Sequence, residues 1–438
     1  MEAPITRSQA STSGTKRPRS RSASASGEDR PAPALRAEPA AAAAAATATG
    51  SEIVVAAPPT QAEASEPDAD VEVQVNHNLP ERRYDIDPDG DLLLAIGEEC
   101  PSATPATFRV DSRALARASA VFRQMLHGGF AEARRPGRGG GDWVVRLPED
   151  SPNTFYILLS IFHTQFDKVP QDELKGSRIQ LIYDLTITTD KYDLTHCVRP
   201  WAALWSALRL QQVTELNNRK QPGAHNASTY VGLQKCLWIT WELGNLAEFE
   251  RIIVELAWCS RLDVDNGSLW SPVTAHGTKG VLFNETFEPE EAFETIHATR
   301  QKAVSRLLTP LLAWVEALIP DAHEPRGGSD TSNLDAMLGA TLRAMKKYRL
   351  WPLPNRDTYA GSVYQLVAAL RAVSDSLSND GHFSQLTIKM SDLGRDVDGI
   401  LRDKVDNNLR PVLAACQVEH VEARGRRTGL FKPAAAAK

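Results

Sequence analysis

Hydrophobic and polar positions divide the chain into an N-terminal segment without periodicity and a long region in which apolar residues recur at regular spacing. Residues 1–80 contain no aromatic residue and are rich in Ala, Pro, Ser, Thr and Glu. Such a segment cannot bury enough apolar surface to offset the entropy cost of ordering, about 1–2 kcal/mol per residue for the backbone. We therefore predict a disordered tail over 1–81, with order beginning near Tyr84.

Between residues 90 and 210 the pattern predicts short strands that alternate with helices. Short apolar runs bounded by turn residues indicate strands, and Ser151-Pro152 has the residue types of a helix N-cap followed by the first helical position. The predicted elements are strands at Leu92–Ile96, Thr107–Val110 and Trp143–Leu147, and helices at Ser112–Ala118, Ala120–His127, from Pro152 onward, at about 177–189 and at about 191–210.

The remainder of the chain is helical by its pattern. Apolar residues repeat at i, i+3, i+4 and i+7 in four stretches, which are 249–256, 304–315, 334–345 and 363–370. No fixed-period repeat is present, so a solenoid is not supported. We predict an α+β chain with four segments, which are the tail at 1–81, a domain at 82–210, a helical region at 211–420 and a flexible tail at 421–438.

Charge and cysteine content narrow the class of protein. The formal net charge is −6, which gives no reason to expect direct contact with nucleic acid or an anionic membrane. The most apolar window, Leu307–Ile319, is short and contains Glu316, so it predicts a core helix and no membrane span. The five cysteines form no CxxC pair, and the N-terminus lacks a charged-then-apolar run. These features favour an intracellular protein with buried thiols.

Six short motifs follow one another in the first ordered domain. They are Asp91-Leu92-Leu93-Leu94, Phe108–Leu115, Ser119–Leu126, Gly129–Glu132, Val145–Asp150 and Asp190–Leu194. In this order and spacing they resemble a BTB/POZ domain of the kind common in fungal proteins. Ser112 departs from that pattern, because many animal members have His there. The first hairpin is also longer than usual, and the Gly-rich loop 136–141 resembles an insertion.

The resemblance implies a small sheet packed by a helical cluster, and a non-enzymatic protein-interaction module that forms a homodimer. Asp91 and Arg113 match a charged pair that the family places near its dimer-associated pocket. The alternative is an ordinary surface acid and surface base. The helical region would then recruit another protein partner.

A second implied surface concerns ubiquitin ligation. Substrate adaptors of cullin-type ligases in this family often carry a hydrophobic-x-Glu motif after the helix that ends in Met-Leu or Met-Phe. Phe130-Ala131-Glu132 stands at that place, where an aromatic anchor and a carboxylate would contact a cullin. The alternative is that Phe130 packs back against its own domain and Glu132 is solvated.

One basic cluster in the tail has the composition of a nuclear import signal. It consists of Lys16, Arg17, Arg19 and Arg21, and its alternative interpretation is solubilising charge. The predicted location is therefore the nucleus or the cytoplasm.

Motifs for metal or cofactor binding are incomplete, and we predict no cofactor. Asp85-x-Asp87-x-Asp89 resembles the start of a calcium loop, but the twelfth position is Ile96 instead of an acidic ligand. Gly139-Gly140-Gly141 is followed by a strand and no Lys-Ser/Thr, so it is not a phosphate-binding loop.

Candidate catalytic residues are also lacking, and we predict that the chain is not an enzyme. His196 and Cys197 are neighbours, and side chains of neighbouring helical residues point about 100° apart, so we do not expect a nucleophile–base pair. Three tryptophans in the helical region could pack in the core or form an aromatic ligand box, and we predict the core role. They are Trp238, Trp241 and Trp258. The alternative from another class is a ligand-binding or catalytic helical domain tethered to a BTB dimeriser.

Overall fold

The computed structural model describes residues 82–431 apart from eight short gaps. The gaps are 102, 134–140, 172–176, 208–226, 272–279, 320–327, 379–390 and 406–409. The predicted tail over 1–81, with the basic cluster at Lys16, Arg17, Arg19 and Arg21, lies outside the described residues. So do most of the Gly-rich loop at 136–141 and the predicted boundary near residue 210.

A four-stranded mixed sheet lies near the start of the described chain. Its strands are β1 (Arg83–Asp85), β2 (Leu92–Ile96), β3 (Ala106–Val110) and β4 (Val144–Leu147), in the order β1-β3-β2-β4. β2 and β3 pair antiparallel, while β1 runs parallel to β3 and β4 runs parallel to β2. Every residue of β2 is buried, as its unbroken apolar run predicts for a central strand. The strand β1 was not predicted.

Five α-helices complete the described residues of this α+β part, residues 82–206. They are α1 (Ser112–Ala118), α2 (Ala120–His127), α3 (Pro152–Phe162), α4 (Ser177–Lys191) and α5 (Arg199–Ser206). Polar side chains begin the first two helices: the Asp111 carboxylate accepts from the Arg113 N–H, and the Ser119 hydroxyl accepts from the Phe122 N–H, both at 3.0 Å. These caps satisfy N–H groups that have no partner within the helix.

The helix predicted at 191–210 is wrong in its first part. The chain turns at Asp193, whose φ of 54° is left-handed, and passes through a short 3-10 turn at Thr195–Val198 before α5 begins. A left-handed residue cannot continue a right-handed helix. Pro200 then occupies a first-turn position of α5, where its missing N–H costs no hydrogen bond.

Seven α-helices are present among the described residues of the helical part, residues 227–428. They are α6 (Ala227–Leu243), α7 (Leu246–Cys259), α8 (Ala292–Leu318), α9 (Gly328–Lys347), α10 (Val363–Ser378), α11 (Ser391–Val405) and α12 (Ala415–Thr428). The four predicted apolar stripes lie in α7, α8, α9 and α10. They enter the main core of the helical part, and the end of α8 and the first half of α9 also form a small separate cluster. A two-stranded ribbon, β5 (Arg261–Leu262) and β6 (Leu269–Trp270), was not predicted.

The last helix corrects the predicted flexible tail at 421–438. Residues 421–428 belong to α12, with Val421 fully buried and Thr428 2% exposed. α12 also reaches the α+β part, since Arg424 donates to the Thr195 hydroxyl at 3.0 Å and Arg427 pairs with Asp193 at 2.5 Å. The two parts belong to one compact unit. None of the described helices combines the length and apolar character needed to cross a bilayer.

Candidate functional site

An open groove of about 430 Å³ lies on the α+β part, between α1, the end of α3 and the start of α5. Its apolar lining includes Ile161, Phe162, Phe166 and Trp201. Phe166 is 50% exposed and contacts the Trp201 ring at a centroid distance of 5.9 Å. Trp201 stacks in turn on the buried Trp205 ring at 5.8 Å. The groove therefore presents an exposed aromatic side chain that is supported from below by two packed tryptophan rings.

The backbone after α3 explains why Phe166 is exposed. Thr164 adopts a left-handed conformation with φ 61°, and the Gln165 N–H returns to the Ser160 carbonyl at 2.8 Å. The Gln165 side chain donates to the Ile86 carbonyl, also at 2.8 Å. These hydrogen bonds hold the turn against the sheet. The Phe166 side chain is therefore exposed because of a fixed backbone conformation.

Basic side chains edge this groove. The Arg117 side chain is 72% exposed and lies 3.7 Å from the Asp111 carboxylate, a distance at which an exposed pair contributes about 0–1 kcal/mol. His196 lies on the same lining and is exposed. An apolar floor with a basic rim suits a peptide or protein surface that carries an apolar anchor and a carboxylate.

The expectation for His196 and Cys197 is wrong in its geometry. The two residues lie in a 3-10 turn, and Cys197 Sγ is 3.4 Å from His196 Nε2. Burial raises the pKa of the Cys197 thiol to about 11; nearby Arg427 lowers it and Asp193 raises it further. A nucleophilic cysteine needs a lowered pKa, so this contact does not provide an activated thiolate at neutral pH.

Phe130 and Glu132, the candidate cullin motif, both lie on the surface. Phe130 is 55% exposed and Glu132 is exposed, so Phe130 is not packed back into its own domain. The turn is anchored from within: Trp143 Nε1 donates to the Glu132 carbonyl at 2.7 Å, and the Ala133 N–H donates to the Phe130 carbonyl at 3.1 Å. The motif is therefore held in an accessible conformation.

Asp91 and Arg113 form the candidate dimer-associated pair. Asp91 contacts Ser112, the residue that precedes Arg113 at the start of α1. The Asp91 carboxylate accepts from the Ser112 N–H at 2.8 Å and from the Ser112 hydroxyl at 2.9 Å. Arg113 follows Ser112 and is exposed. Ser112 thus ties the start of β2 to α1.

Asp85 and Asp87, in the run that resembles the start of a calcium loop, make contacts with nearby residues of the protein. Asp87 accepts from the Asp89 N–H at 3.0 Å, and Asp85 pairs with Arg83 at 3.1 Å and lies 3.6 Å from Arg109. Among the described residues, no group of three or more His, Cys, Asp and Glu side chains is arranged to hold a metal ion.

The helical part contains a buried polar cluster that joins three helices. Glu255 of α7 accepts from the Tyr364 hydroxyl of α10 at 2.6 Å and from Lys404 Nζ of α11 at 2.7 Å. Lys404 also lies 4.9 Å from the centre of the Trp258 ring. The groups satisfy one another without a ligand. Trp241 and Trp258 are buried in the core, and Trp238 is half-buried beside it.

The aromatic residues of the groove, Phe166 and Trp201, were not identified as a site from sequence. Phe166 stands among polar neighbours, in the run Thr164-Gln165-Phe166-Asp167-Lys168, and an isolated aromatic in a polar turn is the signal that could have marked it. No protein-family model, curated protein or solved structure matches this chain. The functional assignment therefore depends on the surfaces themselves.

Proposed function

We propose that this chain is a non-enzymatic protein-interaction module that self-associates through its α+β part and recruits another protein through its helical part. The groove at Phe166 is the observation that carries the proposal. It offers an exposed aromatic anchor, a floor formed by Trp201 and a basic rim, and such features are typical of interface centres. The resemblance of residues 91–200 to a BTB/POZ domain supports the same function.

The position of α1 supports self-association in particular. This helix forms one wall of the groove and begins beside Asp91 and Arg113, the pair that the resemblance assigns to a dimer-associated pocket. The raised pKa of the Cys197 thiol favours a binding role over a nucleophilic one.

Light scattering on the full chain at micromolar concentration tests the proposal. We expect a dimer for the wild type, and association weakened by roughly tenfold or more for Phe166→Ala, because a central aromatic anchor carries a large share of interface energy. Phe287→Ala is the matched control: Phe287 is 55% exposed and contacts Trp238 at 5.2 Å, but it lies in the helical part. A strictly monomeric wild type would overturn self-association, and a Phe166→Ala dimer as tight as the wild type would remove the groove from it.

A second function, substrate adaptor of a cullin-type ubiquitin ligase, is favoured by the exposure of Phe130 and Glu132. The supporting observation is that the turn is anchored by Trp143 while its aromatic side chain remains accessible. A cullin pull-down should capture the wild type and lose Phe130→Ala/Glu132→Ala. Phe166→Ala should retain cullin if the two surfaces act separately. Equal capture of wild type and double variant would end the adaptor role through this motif.

We also propose an intracellular location, in the nucleus or the cytoplasm. All five cysteines are free thiols, which fits a reducing compartment. A reporter fused to residues 1–36 should enter the nucleus if Lys16, Arg17, Arg19 and Arg21 form an import signal, and replacing those four by Ala should abolish entry. Cytoplasmic retention of the unaltered fusion would remove the nuclear alternative.

A further inference from the structure

Five basic residues and an exposed tryptophan lie within fourteen residues at the end of α9 and in the loop after it. The stretch 343–356 contains no acidic residue, although the whole chain has a formal charge of −6. Its basic members are all exposed, and they are Arg343, Lys346, Lys347, Arg349 and Arg356. Trp351 is 48% exposed. We call these six side chains the basic loop patch.

The cations of the patch are available to a partner. Within the described part of the chain, Arg343, Lys346, Lys347 and Arg349 make no ion pair. Arg356 lies 3.6 Å from Asp357, but both side chains are more than half exposed, at 61% and 57%. An exposed pair of that kind is weak and exchanges readily with another carboxylate.

One buried side chain in the loop and hydrogen bonds at its end and just after it hold the backbone in place. Leu350 is 1% exposed, and the Asn355 side-chain oxygen accepts from the N–H groups of Asp357 and Thr358, both at 2.9 Å. The fully buried Arg300 donates to the carbonyls of Tyr359 and Gly361, both at 2.6 Å. A surface already fixed in this way loses little conformational entropy when a partner binds.

The helix end explains only part of the patch. Lys346 and Lys347 lie in the last turn of α9, where the helix dipole favours cations. That effect falls off within one turn, so it does not account for Arg349 or Arg356. Nor does it account for the exposure of Trp351, whose ring has apolar area that a partner would cover.

We propose that the basic loop patch binds an acidic peptide segment of a partner protein, with one apolar side chain of that segment packed on Trp351. This inference rests on the proposed recruitment of a protein through the helical part, and it names the partner's chemistry. A short acidic segment is attracted mainly by the positive charge of the patch. A long polyanion would also be repelled by the net negative charge of the whole molecule. Single-stranded nucleic acid is typically bound by several stacking aromatics, whereas this patch exposes one tryptophan.

Fluorescence anisotropy on the full chain tests the proposal with a defined probe, a fluorescein-labelled peptide of three Asp, one Leu and three Asp. We expect saturable binding that weakens as salt rises from about 50 to 300 mM, because the Debye length shortens over that range. Lys347→Gln/Arg349→Gln and Trp351→Ala should each weaken it by roughly tenfold. Arg410→Gln, which removes a cation that is 72% exposed elsewhere, and Phe287→Ala should leave it unchanged.

Three further probes distinguish the alternatives. A peptide with Asn in place of Asp should not bind, and a 20-mer of deoxythymidine and vesicles containing phosphatidylserine should bind more weakly than the acidic peptide. Absent peptide binding, or equal binding by the patch variants, overturns the inference. Tighter binding of the oligonucleotide or the vesicles also overturns it, in favour of nucleic acid or membrane. Each failure leaves the light-scattering test of self-association unaffected.

Discussion

The α+β part and the helical part of this molecule differ in how many charged side chains they bury. In the helical part, full charges are buried between helices: Glu242 is 1% exposed, Glu255 is 4% exposed and Arg300 is fully buried. In the α+β part, Asp150 is the buried charged residue among those described, at 7% exposed, and the other buried polar groups are mainly hydroxyls. Among the described residues, the helical part therefore buries several charged side chains in its interior, whereas the α+β part buries one.

The difference follows from how each core is closed. The sheet of the α+β part is covered by aromatic and aliphatic side chains, and the Phe122 ring stacks on the Tyr192 ring at 4.6 Å. The helical part joins helices that are distant in sequence, since Glu255 and Lys404 are 149 residues apart. A buried ion pair contributes little net stability, but removal of one partner is costly, so such a pair favours one arrangement of the helices.

The largest expected effect separates core from surface within the α+β part. Phe122→Ala should lower the free energy of unfolding by about 3–5 kcal/mol, because it removes a fully buried ring and leaves a cavity. Phe130→Ala should change it by less than about 0.5 kcal/mol, because Phe130 is exposed. Urea unfolding followed by circular dichroism measures both. A similar loss for both variants would mean that Phe130 is part of the fold and not an accessible anchor.

The next effect tests the buried charges of the helical part. Lys404→Ala should cost roughly 2–3 kcal/mol, because it removes the cation from the buried Glu255 carboxylate. Arg306→Ala is the matched control: Arg306 pairs with Asp403 at 2.7 Å, but both side chains are more than a third exposed, so its loss should cost less than about 1 kcal/mol. Equal costs in urea unfolding would contradict the contrast between buried and surface charge.

Much of the fold was predictable from sequence, and the reason differs between the two parts. In the α+β part, Leu92–Ile96, Ser112–Ala118 and Ala120–His127 are confirmed to the residue, because strand runs and polar caps are local signals. In the helical part the apolar stripes were predictable, but the pairing of Glu255 with Lys404 was not. Two residues this far apart in sequence produce no periodic pattern that would indicate their contact. The extension of α12 past residue 421 was missed because its buried residues are few.

The candidate sites divide in the same way. Phe130 and Glu132 were identified because they form a contiguous motif. The groove was not, because Phe166 and Trp201 come from separate elements and meet only in three dimensions. The contact between His196 and Cys197 was missed because an α-helix was assumed where the chain forms a 3-10 turn.

A smaller effect concerns the cap that links α2 to the end of α4. The Ser119 hydroxyl accepts from the Phe122 N–H at 3.0 Å and donates to the Tyr192 carbonyl at 2.6 Å. Ser119→Ala should therefore cost about 0.5–2 kcal/mol, the usual range for an N-cap. Thr309→Ala is the control in the helical part, since its exposed hydroxyl donates only to the Ser305 carbonyl at 2.8 Å. A loss at Ser119 no larger than at Thr309 in urea unfolding would show that the cap adds nothing.

The last prediction concerns chemical reactivity and does not involve a change in stability. It compares the thiol pKa of one cysteine from each part, Cys197 and Cys236. Burial raises the pKa of Cys197 to about 11 and that of Cys236 to about 12, from an ordinary value of 9.0. The thiolate is the reactive form, so at pH 8 a pKa two units higher leaves Cys197 with about a hundredfold less thiolate than an ordinary cysteine. Cys197 is partly exposed, whereas Cys236 is 2% exposed.

Iodoacetamide labelling with peptide mass spectrometry should show slow modification of Cys197 in the folded protein, with a rate that rises steadily from pH 8 to 10. Cys236 should be modified only as fast as the helical part opens, and therefore with little dependence on pH once opening limits the rate. Denaturation in urea should make the two rates equal, which provides the control. Rapid labelling of Cys197 at pH 7 would mean that His196 does activate the thiol, and the groove would then have to be treated as a reactive site as well as a binding surface.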